Sequence, residues 1–176
     1  MRRVSAAAVL ALAMIAAVVM LSATSADEGT LKLHASLTGF QEVTPKLTDG
    51  TGTFTATITG GQLTYKLTYS NLSSPAFMAH IHFGQKAVSG GIFIWLCQSA
   101  TAPSPTAGTP ECPAGGGTVT GTATAASVLK ITGQTMNAGN FNDAIAIIRS
   151  GDAYVNVHTT NFPGGEIRGQ VSVEED

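Results

Sequence analysis

The sequence predicts an all-β domain, a Greek-key β-sandwich with one short helix. Three observations carry that expectation. Most segments alternate apolar and polar residues with period two, the signature of strands with one face on a core and one in water. Clusters of Gly, Pro, Asn and Ser punctuate the segments, and the chain holds 20 glycines and 7 prolines. Only one stretch switches to helical spacing, which leaves a single short helix among many strands.

Taken in order, the chain begins with the pattern of an export leader. Arg2 and Arg3 precede an almost unbroken Ala/Val/Leu/Met run over residues 4–21. Ser22, Ala23, Thr24, Ser25 and Ala26 then supply small residues for cleavage after Ala26. An uncleaved anchor is the alternative, since the run approaches spanning length, but its Ala-rich composition and small-residue end favour cleavage. Residues 1–26 are therefore expected to be a signal peptide and residues 27–176 one domain, with its core over about 31–173. The mature product is expected to be secreted and extracytoplasmic.

Leu31, Leu33, Ala35 and Leu37 share the first strand's apolar face, with Lys32, His34, Ser36 and Thr38 opposite. Phe54, Ala56 and Ile58 alternate with threonines. Leu63, Tyr65, Leu67 and Tyr69 do the same after a tight Gly60-Gly61 connection. Asn71-Leu72-Ser73, also a glycosylation acceptor pattern, and Pro75 interrupt before a strand over 77–83. The apolar run 92–96 reads as a buried strand, with Trp95 assigned to the core. A Thr-rich alternation resumes over 118–124. Phe141, Ala144, Ile145 and Ile148 have helical spacing, with Asn140 or Asn142 as cap and Gly151 as stop. Strand patterns return over 154–159 and 166–173.

Composition narrows the partners. Without Arg2 and Arg3, the nine basic residues fall to seven against eleven acidic ones, and no basic cluster remains. Nucleic acid is not an expected partner, nor is a membrane after leader removal. The two cysteines, Cys97 and Cys112, suit one disulfide in an oxidising compartment. The enclosed loop, 98–111, is rich in Pro, Ser, Thr and Ala, so the bridge reads as a staple on a segment that cannot pack by itself.

Three sets of residues carry a family resemblance. H-A-S-L-T-G-F-Q-E-V occupies 34–43 and A-H-I-H-F-G occupies 79–84. A-Y-V-N-V-H-T over 153–159 is followed by P-G-G-E-I-R-G-Q over 163–170. In that order they resemble the first strand, the histidine-bearing centre and the C-terminal signature of the chordin-type (CHRD) domain. The likeness spans about 31–173. It implies a secreted, non-enzymatic β-domain that binds an extracellular protein or surface ligand. It does not import the growth-factor binding of chordin, whose cysteine-rich modules are missing.

The chemistry-bearing residues follow from strand parity. His80 and His82 leave one face of their strand, with Ala79, Ile81 and Phe83 on the other. His158 shares a face with Tyr154 and Asn156. If the two strands meet, three imidazoles converge on one late-transition-metal ion, copper first and zinc second. His34 is a candidate fourth ligand or outer neighbour. The strand pattern leads to an immunoglobulin-like or superoxide-dismutase-like sandwich, and an H-x-H strand with a distant third histidine is similar to copper–zinc superoxide dismutases. The dismutase activity is not expected, because four histidines cannot serve two metals in that manner and no bridging histidine follows His82.

The competing reading makes His80, His82 and His158 a hydrogen-bonded polar cluster on the sheet. Glu166 and Arg168 share a strand face beyond Pro163-Gly164-Gly165, where an ion pair locking the last strand is favoured over a ligand clamp. Asn156 either orients His158 or bonds a neighbouring loop. No G-x-S-x-G or comparable catalytic constellation is present. The sequence thus favours a non-enzymatic binding or structural module, with a copper- or zinc-binding protein as the alternative.

Overall fold

The computed structural model describes residues 29–174. The expected leader, with its cleavage point after Ala26, lies outside them. Nine strands and one α-helix form in the order β1 (Leu31–Thr38), β2 (Thr51–Thr59), β3 (Gln62–Ser70), β4 (Ala76–Phe83), β5 (Gly91–Cys97), β6 (Gly117–Ala123), α1 (Phe141–Arg149), β7 (Ala153–Thr159), β8 (Ile167–Gln170) and β9 (Ser172–Val173). The fold is all-β with one short helix. Every strand pairing is antiparallel, along the path β5-β4-β7-β8-β1-β2-β3-β6, with β9 also on β1. The sheet curls until it is nearly closed. Tyr65 of β3, the strand next to one end of the path, donates from its hydroxyl to the Leu96 carbonyl of β5 at the other end across 2.7 Å.

The alternation of the sequence decides what faces inward. Leu33, Ala35, Leu37, Phe54, Leu63, Leu67, Ala79, Ile81, Val155, Val157 and Ile167 are essentially inaccessible and fill one core. Burying each such large side chain contributes roughly 1.5–3 kcal/mol before conformational entropy is counted. Gly60 and Gly61, at φ 55° and 73°, make the two-residue β2–β3 turn, which demands left-handed backbone at both positions. In α1, the Asn140 side chain accepts from the Asp143 backbone N–H, and Phe141, Ala144, Ile145 and Ile148 face the core.

Several expectations need correction. The strand expected over 166–173 is split, with Glu166 before β8 and Val171 between β8 and β9. Trp95 is only half-buried and lies opposite His80, on the face away from the core. Two register shifts between β4 and β5 give Trp95 this parity, and period-two counting cannot see them. The staple expected on the 98–111 loop is present, and side-chain hydrogen bonds add to it. Cys97 and Cys112 are joined, and Gln98 uses its side chain to hold Thr109 O and Ser104 N at 2.8 Å each.

Candidate metal centre

The outer face of the β4-β7-β8 portion is buried as thoroughly as its inner face. All seven residues of β7 are buried. The cover comes from three loops rather than a second sheet. Loop 39–50 brings Glu42 to Asn156 and Thr48 to Glu166. Loop 84–90 is held by Arg168, whose Nη2 donates to Gln85 O and Val88 O, both at 2.9 Å. Loop 160–166 brings the Pro163 carbonyl to His158. Polar side chains on this face are therefore shielded from water, and their partners can be counted.

Register places the three histidines together. His80 lies opposite Asn156, His82 opposite Tyr154, and Met78 opposite His158. One ring nitrogen from each of His80, His82 and His158 lies within 4.8 Å of the others, and all three residues are buried. Their exposures are 0%, 7% and 5%. His34 is not part of this cluster. It sits on β1 between Thr55 of β2 and Ser172 of β9, with β8 and β7 separating it from β4.

The tautomers follow from the partners. A carbonyl oxygen only accepts, so His82 Nδ1–H donates to Gly90 O at 3.0 Å and His158 Nδ1–H donates to Pro163 O at 2.9 Å. Both Nε2 atoms then carry lone pairs. That of His158 accepts from His80 Nδ1–H at 3.1 Å, which leaves His80 Nε2 as a lone pair too. His80 Nε2 and His82 Nε2 are buried without any partner. Left unpaired, each such buried acceptor costs about 1–3 kcal/mol. A bound cation would satisfy both, as would a buried water donating to each.

Electrostatics keep the rings neutral. Burial, followed by the neighbouring imidazoles, lowers His80 from 6.5 to about 2. Burial is also the largest cause for His82 and His158, each lowered to about 4 although carbonyl hydrogen bonds pull the other way. Neutral imidazole is the form that binds metal. The Gly90 and Pro163 carbonyls orient the rings and present Nε2 inward, as outer partners of metal-ligating histidines do. Glycine is required at residue 90, because a Cβ there would overlap the Phe83 carbonyl.

Aromatic rings pack the flanks. Trp95 meets His80 edge-on at 4.2 Å between centroids. Tyr154 stacks on His82 at 4.6 Å, and the Arg168 guanidinium lies 3.4 Å from the centre of the Tyr154 ring. Arg168 does not pair with Glu166. The Glu166 carboxylate instead receives Thr48 Oγ1 at 2.6 Å, Ser73 N at 2.7 Å, Ser73 Oγ at 2.9 Å and Thr159 Oγ1 at 2.6 Å. Burial raises this carboxyl, but the donors from Thr159, Thr48 and Ser73 together outweigh it and hold the group below its ordinary value. Glu166 thus clamps loops 39–50 and 71–75 to the end of β7. Asn156 donates to Glu42, whose own carboxyl is raised by burial.

The CHRD domain family matches residues 33–171, most of the chain. The chain belongs to the CHRD domain family. No curated protein and no solved structure matches it. The match encloses the whole histidine cluster and both cysteines of the disulfide, so the candidate centre is embedded in the CHRD domain rather than appended to it.

Sequence reasoning missed the carbonyls of Gly90 and Pro163, the Trp95 flank and the loop roof. Backbone carbonyls have no residue-type signal, and a loop's fold over a sheet is not periodic. Tyr154 was already on the correct face by parity, but its stack with His82 depends on the register between β4 and β7.

The donor set fits one ion. Zinc– or copper–imidazole bonds of about 2.0–2.1 Å put two nitrogens of a tetrahedral site about 3.3 Å apart. The widest pair must therefore close by up to about 1.5 Å, so the rings draw together on binding.

Proposed function

We propose that this CHRD domain is an exported, non-enzymatic module that binds a single late-transition-metal ion through His80, His82 and His158, with copper preferred and zinc second. The observation that carries the reading is the convergence of three buried imidazoles, one ring nitrogen of each within 4.8 Å of the others, with Nε2 of His80 and of His82 unpaired by any protein group. A purely structural cluster would need a buried water at those two acceptors, whereas a metal ion satisfies them directly. Export is supported by the leader pattern in the sequence and by the Cys97–Cys112 disulfide, which persists in oxidising compartments.

The second reading is a hydrogen-bonded cluster that only shapes the sheet for an extracellular protein or surface partner. The His80–His158 hydrogen bond favours it. Titration of metal-free protein, made without an affinity tag, with Cu(II) and Zn(II) separates the two. One tight equivalent, lost in folded His82→Ala and His158→Ala variants, is expected from metal binding. Equal, weak binding by wild type and both variants leaves only the structural reading.

A further inference from the structure

The strand that supplies His80 and His82 carries one more side chain with metal affinity on the same face. Ala79 and Ile81 are in the core at 0% and 1% exposure, so Met78, His80 and His82 alternate to the opposite side. A register shift between Ala76 and Met78 sets this parity. Ala76, which is buried in the core, pairs with Thr159, whereas Met78 pairs with His158 after a single step along β7. Without the extra residue, Met78 would follow Ala76 into the core and the histidines would follow it. Met78 therefore stands directly across from a cluster histidine and two residues from another. Only Met78 and Met136 lie beyond residue 28 in this chain, and Met136 is packed in the core.

Directly opposed residues on paired strands have Cβ atoms about 4.5–5.5 Å apart, a gap that an unbranched side chain with three rotatable bonds can cross. Met78 is half-buried whereas the three histidines are nearly sealed, so its side chain is the more accessible of the four on this face. Three imidazoles alone take either Cu(II) or Zn(II), with copper ahead only by the general affinity order. A thioether is a soft ligand that favours Cu(I) and adds little for zinc. Resting on the three-histidine reading above, we propose that Met78 is a further ligand of that centre and makes it selective for copper, above all Cu(I).

The test compares wild type with Met78→Leu, a near-isosteric change at a half-buried position. Cu(I) affinity is measured anaerobically by chelator competition, Zn(II) affinity by titration, and sulfur coordination by X-ray absorption at the copper edge. Expected for Met78→Leu are at least a tenfold loss of Cu(I) affinity, Zn(II) affinity unchanged within about twofold, and loss of the sulfur signal seen in wild type. Stoichiometric copper held by nitrogen alone in wild type, or equal Cu(I) affinity in the variant, overturns the role of Met78 and leaves the three-histidine site standing. Absence of tight copper and zinc binding in wild type removes that site, and this proposal with it.

Discussion

Lowering the pH should unfold the metal-free domain over a window defined by its three buried histidines. Each has a folded pKa far below its ordinary value of 6.5, at about 2 for His80 and about 4 for His82 and His158. The unfolded chain therefore binds more protons than the folded one below about pH 6.5. Stability is fully present above that pH and is lost as the pH falls toward the folded values. At pH 5 the linkage amounts to about 2 kcal/mol for each histidine, or about 6 kcal/mol for the three. A domain's whole stability is about 5–15 kcal/mol, so the effect is comparable to the total. Glu42, whose carboxyl is raised, works in the opposite direction and offsets a fraction. Glu166, with its depressed carboxyl, loses its contribution only below about pH 4.5, beneath the histidine window. The assay is urea unfolding of chelator-treated protein at pH 7.5 and pH 5, followed by the fluorescence of Trp95, the only tryptophan. With a slope of about 2 kcal/mol per molar urea, the midpoint should fall by about 2–3 M. A midpoint at pH 5 within about 0.5 M of its value at pH 7.5 would refute the argument that these rings are buried and neutral.

Other perturbations test the supports of the cluster. Glu166→Gln replaces one acceptor oxygen with a donor facing the Thr48, Ser73 and Thr159 donors. It should cost roughly 2–3 kcal/mol and speed hydrogen exchange at the Ser73 amide. Replacing Cys97 and Cys112 together by serine opens a bridge with a sequence separation of 15, which should lower stability by about 3 kcal/mol in denaturant titrations. Arg168→Lys removes the planar group that covers Tyr154 and holds Gln85 O and Val88 O. A loss of about 1–2 kcal/mol is expected, with faster proteolysis within 84–90 than in wild type.

The strand pattern was legible because inward and outward residues alternate with a period of two wherever one face meets water. Leu31 to Leu37 in β1 and Leu63 to Tyr69 in β3 read directly, as did the Asn140 cap of α1. The shared face of His80 and His82, and of His158 with Tyr154, was readable by the same rule. Trp95 and Met78 were not, since register shifts on both sides of β4 change parity relative to neighbouring residues. The Glu166–Arg168 ion pair expected from spacing does not form. Closer partners from loops 39–50, 71–75 and 84–90 take each group first, and those loops are distant in sequence.

By itself, then, the sequence determined an all-β CHRD domain, the core residues of its regularly alternating strands and the strand faces on which its histidines stand. These follow from local periodicity and from motifs read in order along the chain. Only the tertiary structure decided that β4 and β7 are neighbours, that three loops roof their outer face, and that two imidazole nitrogens are left there without partners. Those properties depend on non-local register and on desolvation, which arise when distant segments pack and have no counterpart in any one segment.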